Sequence, residues 1–380
     1  MTSNRTDSLE IERPFSTLDE ADWNGLCKTG PFADWRFLAS AEETGCTGAL
    51  SGWRPLAMTE TGNGRMACAA PAWLKDHSHG EFVFDFAWAQ ASQQAGMPWY
   101  PKLLVAAPFT PVTGPRLLGS ERDPQAALGL VRRMESLVEE LDLWSGGVNF
   151  CAPADAAVLR EAGWLERFDW QYHWQNDGYR DFDHFLEQLK RKPRKNIRAE
   201  RRRVHEEGWR FRWRDGNELE PTELALVDRC YQTTFALYGN LPSLNRDFFE
   251  RAAARFGSDF LVCIASHGGE DLACAVFWRD GKRLYGRYWG SLVETRDVHF
   301  ETCYYQGIDY CIAKGLEWFE PGAQGEHKIR RGFLPRRTRS FHYIRHPGLR
   351  EGIRHWLQAE AGFLERRREQ LEQFNPFKQA

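Results

Sequence analysis

The sequence lacks the features that mark an exported or membrane-embedded protein. Its nine cysteines include no C-x-x-C pair and lie scattered, several of them in apolar runs such as 261–264. This spacing is typical of reduced core thiols and not of a disulfide framework. The first fourteen residues are polar and charged, which predicts neither a signal peptide nor an anchor. The apolar run 103–115 contains three prolines and is too short to span a bilayer. We therefore expect a cytoplasmic protein without membrane insertion.

A strong net charge is also missing. The 380 residues include 50 Lys and Arg against 53 Asp and Glu, a formal net charge of −3. No overall field directs the chain to nucleic acid or to a membrane surface, so any electrostatic contact must be local. Metal-ligand spacing is missing too, because the pair Glu326-His327 has no second cluster beside it. We expect no bound metal.

Apolar and aromatic residues are plentiful. Hydrophobic residues make up 42% of the chain and aromatic residues 14%, with sixteen tryptophans. At roughly 100–200 residues for each domain, this length favours two domains, each able to build a packed core.

The second half of the sequence has a clear order of elements. Three predicted strands are separated by Gly-Gly and Asp-Gly turns, at 259–266, 272–279 and 283–290. A helix begins near Asp297 with an apolar stripe at three- and four-residue spacing, and Gly315 is a typical helix stop. Residues 316–320 form the next predicted strand.

The first half repeats this order. Residues 53–60 and 65–73 are predicted as paired strands, and 102–109 as a buried one. A helix follows with Asp123 as its N-cap, and then a glycine pair and a short strand. The repetition predicts a duplicated α/β fold, with a mixed central sheet flanked by helices in each half. We assign the first domain to 1–176, the second to 177–348, and a C-terminal helix and tail to 349–380.

Three segments carry a family resemblance: 77–85 (HSHGEFVFD), 100–118 (YPKLLVAAPFTPVTGPRLL) and 299–335 (HFETCYYQGIDYCIAKGLEWFEPGAQGEHKIRRGFLP). Through them the chain resembles, over nearly its whole length, a bacterial family of predicted N-acyltransferases. That family is related to the GNAT superfamily and to the Fem-type peptidoglycan aminoacyltransferases. The resemblance implies tandem GNAT-like (acyl-CoA N-acyltransferase) domains and acyl transfer to an amine.

The resemblance also bears on the acyl donor. In single-domain GNAT enzymes, a Q/R-x-x-G-x-G/A loop binds the pyrophosphate of coenzyme A through backbone N–H groups. The segment 110–116 lies in the corresponding place but has one glycine and two prolines, and 290–295 has no glycine after Gly290. This departure favours an aminoacyl-tRNA over an acyl-CoA as donor co-substrate, with no tightly bound cofactor. We expect the donor's phosphates to contact Lys102, Thr110, Thr113, Gly114 and Arg116.

The segment 320–331 is the first candidate for the chemistry. Acyl transfer to an amine needs a base, donors for the oxyanion and a clamp for the acyl donor. After a predicted strand, a glycine-hinged loop carries acid, amide, imidazole and ammonium groups. We predict a substrate loop with the following residues: Glu320 or Glu326 as base, His327 as relay, and Gln324, Lys328 and Arg331 as substrate contacts. The alternative is an ordinary solvated surface loop.

The helix near 297–314 offers further candidates. Glu301 and Tyr305 are four residues apart and share a face, beside Tyr304. A phenol there could protonate a leaving group, although a tyrosine stripe is more often part of a core. We predict Glu301 and Tyr305 as catalytic residues and Tyr304 as a substrate contact.

In the first half, Glu81 and Asp85 share a face if their segment is helical, and His77 lies beside them. Alternating phenylalanines at 82, 84 and 86 favour a strand instead. We predict a helix, because the sequence from 87 to 94 and the stop at Gly96 suit one. His77 and Glu81 are predicted substrate contacts.

Basic residues concentrate in one place. Nine of the fourteen residues from Lys190 to Arg203 are Lys or Arg, within a helix predicted at 186–206. We predict that Arg194, Lys195 and Arg198 bind phosphates of tRNA or another polyphosphate. The alternative is a solvated charged face.

Two functions are compatible with these features. The first is an N-acyltransferase that moves an acyl or aminoacyl group, from acyl-CoA or aminoacyl-tRNA, to a small-molecule or peptide amine. The second is a non-catalytic module that binds RNA or a nucleotide on a GNAT-like fold. A paired acid and His at a strand end favours the enzyme, because a pure binder does not need them.

Overall fold

The protein was analysed as a computed structural model, which describes residues 13–27, 30–62, 64–323 and 325–378. Two compact units form: one comprises the described residues up to Asp169 with Thr338–Phe363, and the other Trp170–Arg337 with those from Leu364 onwards. The division differs from the predicted boundaries, because residues 338–363 belong to the first unit. There, Ile344, Ile353 and Leu357 pack into a buried cluster with two tryptophans of the same unit.

The first half of the chain contains five helices and seven strands within the described residues. The helices are α1 Glu20–Asn24, α2 Trp35–Glu43, α3 Phe86–Gln94, α4 Pro124–Glu140 and α5 Pro153–Glu161. The strands are β1 Trp53–Pro55, β2 Met58–Gly62, β3 Arg65–Ala70, β4 Ala72–Lys75, β5 Lys102–Val105, β6 Ser145–Val148 and β7 Leu165–Gln175.

The second half continues with seven helices and six strands among the described residues. The helices are α6 Phe182–Gln188, α7 Arg191–Glu206, α8 Pro221–Leu237, α9 Arg246–Phe256, α10 Val298–Phe300, α11 Gln306–Lys314 and α12 Pro347–Glu372. A π-helical turn, Glu301–Tyr305, joins α10 to α11. The strands are β8 Arg210–Asp215, β9 Phe260–His267, β10 Glu270–Arg279, β11 Arg283–Ser291, β12 Trp318–Glu320 and β13 Leu334–Ile344.

The sheet of the first unit is mixed. Strands β1, β4 and β5 run antiparallel, β5 and β6 are parallel, and the end of β13 pairs antiparallel with β6. Helix α4 connects the two parallel strands and buries Leu130, Val131 and Met134 in the core. Asp123 caps this helix by accepting from the Ala126 N–H, as predicted.

The second unit repeats that topology. Strands β8 to β11 run antiparallel, β11 and β12 are parallel, and the end of β7 pairs antiparallel with β12. The helical segment from α10 to α11 connects the two parallel strands. It ends at Gly315 in the left-handed conformation, as predicted. The shared order of one antiparallel, one parallel and one antiparallel pairing confirms the duplicated fold.

Two local predictions need correction. The segment 81–85 is not helical, and α3 begins only at Phe86. Phe82 has a positive φ of 59°, and the carboxylates of Glu81 and Asp85 both pair with Lys102. The basic segment is not one helix either: α6 ends, two residues are extended, and α7 begins at Arg191.

The nine cysteines are thiols, and seven of them are buried, as expected of core residues. Among the residues described above, none of the helices combines the length and the apolar character that crossing a bilayer requires.

Candidate active site

The parallel pair of strands in the second unit separates at one end. Pairing of β11 with β12 runs from Arg283 opposite Trp318 to Tyr285 opposite Glu320, where β12 ends and β11 continues. The chain then turns at Gly322, whose positive φ of 95° favours glycine. A Cβ at Gly322 would lie 3.7 Å from the Gly286 carbonyl oxygen and 3.9 Å from the Lys328 Nζ. The Lys328 amine therefore lies at the strand split.

Lys328 is a buried amine with few partners. It lies on the 3-10 turn Glu326–Arg331, which begins after Gly325 and ends at Gly332, both with positive φ. Only 3% of the residue is exposed, and Nζ donates to the Gly322 carbonyl at 2.6 Å. Burial disfavours the charged form and lowers the pKa of Lys328 to about 7. Such an amine can gain or lose a proton at neutral pH.

Tyr304 and His327 form a hydrogen-bonded pair beside this amine. The Tyr304 hydroxyl and His327 Nε2 are hydrogen-bonded at 3.0 Å, and the Lys328 Nζ lies 5.9 Å from the centre of the Tyr304 ring. Burial, with Arg331 and Lys328 nearby, lowers the pKa of His327, while burial raises the pKa of Tyr304. At neutral pH a neutral imidazole is thus hydrogen-bonded to a neutral phenol, and the imidazole tautomer decides which of the two donates.

The next tyrosine anchors the turn. Tyr305 donates a short hydrogen bond to the Glu200 carboxylate on α7, and Arg331 Nε donates to the Tyr305 hydroxyl at 2.9 Å. Arg331 also binds Glu200 through Nη2, at 2.9 and 3.0 Å. The π-helical turn directs neighbouring tyrosines to different partners. Tyr305 and Arg331 therefore position the turn that carries His327 and Lys328.

A cavity of about 720 Å³ lies beside His327. It is lined by α7 and the residues around it (Lys190, Lys192, Pro193, Asn196, Ile197, Glu200), by the 3-10 turn (Glu326, His327, Arg330, Arg331) and by the C-terminal residues Gln373, Phe374 and Asn375. The helix dipole at the start of α7 adds to the positive charge of Lys190, Arg191 and Lys192. This combination suits a phosphate group.

The predicted phosphate contacts lie on α7 but do not line this cavity. Arg194, Lys195 and Arg198 are absent from its lining, and Arg198 pairs with Asp183 at 2.9 Å. The face of α7 that lines the cavity carries Lys192, Asn196 and Glu200, which are four residues apart along the helix. Sequence reasoning missed Glu200, although it is the single acid between 190 and 203.

The predicted bases occupy three different settings. Glu301 is fully buried and accepts from Arg201 at 3.0 Å and from Gln306 at 2.9 Å, so it serves as an internal ion pair. Glu326 lines the cavity, but Arg367 binds both of its oxygens at 2.7 Å. Because both carboxylates are paired with arginines, neither is well suited to act as a base. Gln324 lies outside the described residues.

Glu320 is buried at the end of β12. Its Oε1 accepts from Arg283 at 3.0 Å, and its Oε2 lies 3.7 Å from the His173 Nε2. Burial raises the pKa of Glu320 to about 7 and lowers that of His173 to about 3. Neither Glu320 nor Lys328 lines the 720 Å³ cavity. Lys328 is the better candidate for the base, because it lies on the same turn as His327, which lines the cavity, whereas Glu320 is paired with Arg283.

The equivalent split in the first unit is filled by its own chain. Arg116 is 1% exposed and donates to the carbonyls of Asn149 and Val112 at 2.9 and 2.6 Å. The Gly114 N–H donates to the Phe150 carbonyl at 3.0 Å, and the Arg116 N–H to Asp155 at 2.8 Å. In the loop predicted to bind the acyl donor, the Arg116 guanidinium and two backbone amides are therefore hydrogen-bonded within the unit. This argues against a phosphate site there.

The remaining predicted contacts of the first unit are paired or buried within that unit. Lys102 pairs with Glu81 at 2.8 Å and, over a shorter contact, with Asp85. Because two buried carboxylates neutralise it, Lys102 does not suit a phosphate. The hydroxyls of Thr110 and Thr113 are buried within the unit. His77 Nδ1 lies 3.5 Å from the Lys75 Nζ.

The described residues form a tandem α/β fold of the GNAT-like class. The chain belongs to the FemAB-like family, described as peptidoglycan biosynthesis/recognition, whose model matches residues 14–379. The predicted family resemblance and fold class are therefore confirmed.

Solved structures show the same fold at low identity. FemX is 12% identical, with 89% of this chain and 98% of that chain covered and a TM-score of 0.56. The C-terminal domain of a putative lysylphosphatidylglycerol synthetase from Agrobacterium fabrum is 9% identical, with 86% and 91% covered and a TM-score of 0.54. No curated protein matches the chain.

Proposed function

We propose that this protein is an N-acyltransferase that moves an aminoacyl group from an aminoacyl-tRNA to an amine of a peptidoglycan-related acceptor. One observation carries the proposal. Lys328 at the strand split lies beside the Tyr304 ring, the Tyr304 hydroxyl is hydrogen-bonded to His327, and His327 lines a cavity whose rim is rich in cations. A proton relay beside a phosphate-binding surface is what transfer from an RNA-linked ester requires.

The residues divide the proton transfers among them. Lys328, neutral in part at pH 7, takes the proton that the acceptor amine loses as its nitrogen attacks the ester carbonyl. A C–N bond forms and the ester C–O bond breaks. The Tyr304 hydroxyl gives its proton to the departing ribose oxygen, and the proton taken up by Lys328 then restores the hydroxyl, so no net proton is gained or lost. His327 orients the Tyr304 hydroxyl through their hydrogen bond. General acid–base steps of this kind contribute ~10²–10⁴-fold.

The choice of donor follows from the difference between the two units. In the first unit, Arg116 and two amides of its loop are engaged internally, which removes donors that a coenzyme A pyrophosphate would need. In the second unit, Lys190 and Lys192 line the cavity beside the relay. The family description and the name of FemX support a peptidoglycan-related peptide as the acceptor.

A discharge assay tests the proposal. Purified protein is incubated with tRNA charged with labelled amino acids, or with labelled acetyl-CoA, and a peptide that carries a free lysine side chain. We expect label to move from tRNA to the peptide and Lys328→Met to abolish this. Lys282→Met, which alters an exposed lysine, serves as the matched control. Transfer from acetyl-CoA without any discharge of tRNA would refute the choice of donor.

A further inference from the structure

The C-terminal segment 373–378, hereafter the tail, follows α12 and lies along the junction between α6 and α7. The Lys190 N–H donates to the Pro376 carbonyl at 2.7 Å, and the Lys378 N–H donates to the Gln188 carbonyl at 3.0 Å. Leu189 and Phe377 form an antiparallel bridge. The tail is therefore held by backbone pairing, as an added strand would be.

The junction that receives the tail is itself extended. Leu189 has φ −83° and ψ 150°, and Lys190 has φ −55° and ψ 156°. Between two helices, these residues present the backbone groups of a short strand edge, and such edges accept extended peptides by strand addition. Lys190 adds a second contact, since its Nζ donates to the Asn375 carbonyl at 2.9 Å.

The tail lies between two cavities of the second unit. One is the 720 Å³ cavity beside His327, and the other, of about 670 Å³, is lined by His173, His184 and Arg336 among others. Asn375 lines both cavities, and Lys378 lines the second one. The tail therefore contributes to the walls of both cavities, the first of which is also lined by His327.

Little of the tail is buried. Gln373, Phe374, Asn375 and Lys378 are exposed, and Pro376 alone among residues 373–378 is buried. Phe377 is half-buried, with its ring centre 6.4 Å from that of Phe185. Segments with few buried contacts open locally at low cost while the rest of the fold stays intact.

We propose that the tail occupies the binding groove of an extended peptide, which displaces it and pairs with residues 188–190. The matching peptide would present an aromatic side chain at the Phe377 position and a basic one at the Lys378 position. This inference rests on the proposed function in one respect: the displacing peptide is taken to be the amine acceptor. Peptide binding itself needs neither donor nor catalysis.

Binding of a peptide in trans tests the proposal on the full-length chain. The probe is a fluorescent decapeptide with the sequence of residues 371–380, measured by anisotropy without donor. An attached tail competes at a millimolar effective concentration. We expect the probe to bind Phe377→Ser at least tenfold more tightly than the wild type. Phe363→Ser, which alters another exposed phenylalanine, should bind the probe as the wild type does.

Two further measurements keep the test decisive. A probe with serine at the Phe377 position should bind the Phe377→Ser protein at least tenfold more weakly than the probe with the native sequence does. Hydrogen exchange on the wild type should show the Lys190 and Lys378 amides opening well before Val204 in α7. Equal binding of the probe to both proteins, or exchange at Lys190 only on global unfolding, would overturn the proposal. Lys328→Met should bind the probe unchanged, which separates this inference from the proposed catalysis.

Discussion

Replacing Lys328 by methionine is the most informative single change, because it should abolish activity and raise stability together. The amine is buried, with one hydrogen bond to the Gly322 carbonyl, and burial lowers its pKa to about 7. A methionine has a similar length and no proton to lose. We expect Lys328→Met to fold normally and to lose at least a hundredfold in transfer rate.

The size of the stability effect follows from the pKa. Between pH 7 and 10.5 the unfolded chain holds the Lys328 proton and the folded chain does not, so the free energy of unfolding rises with pH. At about 1.36 kcal/mol for each pH unit, the full difference is roughly 5 kcal/mol as an upper bound. Methionine removes this penalty but also a hydrogen bond of about 1 kcal/mol. At pH 7 we expect the variant to be more stable by roughly 1–4 kcal/mol.

Urea unfolding of both proteins at pH 6, 7, 8 and 9 measures this difference. The advantage of Lys328→Met should be largest at pH 6–7 and shrink as the pH rises, because the wild type gains stability there. Lys282→Met, at a lysine whose side chain is 67% exposed, should show no such trend. A variant that is less stable at every pH, or that keeps its transfer activity, would refute the reasoning.

Three further predictions address the relay, the cavity and the closed split. Tyr304→Phe should slow transfer at least tenfold without loss of stability, and adding His327→Ala should cost little more, because the two groups act in one step. Lys192→Glu should weaken donor binding and flatten its salt dependence, measured by filter binding, whereas Lys195→Glu outside the cavity should change it less. Arg116→Met should lower the free energy of unfolding by roughly 2–4 kcal/mol, because carbonyls lose their donor, and should leave donor binding unchanged.

Local signals explain which parts of the fold the sequence predicts. The cap at Asp123 and the left-handed stop at Gly315 depend on neighbours within a few residues, and both are confirmed. Residues 338–344 belong to the first unit because β13 pairs with β6, which lies almost two hundred residues earlier in the chain. No local pattern encodes which partner a strand of this length selects.

The candidate site shows the same limit. The segment 320–331 stands out in the sequence because its glycines and its mixed polar groups are local features, and its role as the active site stays a prediction. Its base was assigned to Glu320 or Glu326 because the sequence does not show which side chains are buried or already paired. Lys328 stands out only once its burial and its single hydrogen bond are known. The inward face of α7 is likewise set by packing of Ile197 and Val204.

The duplicated fold places a buried cation at the parallel-strand split of each unit, and the two cations differ in what they can do. Arg116 donates to several carbonyls and stays charged at any physiological pH, so it can only hold its loop closed. Within the described part of the chain, Lys328 donates to one carbonyl at the split, and burial lowers its pKa to about 7, so it can exchange a proton. The split of the first unit is closed by Arg116, whereas the split of the second unit contains an amine that can take part in proton transfer. This asymmetry is the physical reason to assign the chemistry to the second unit.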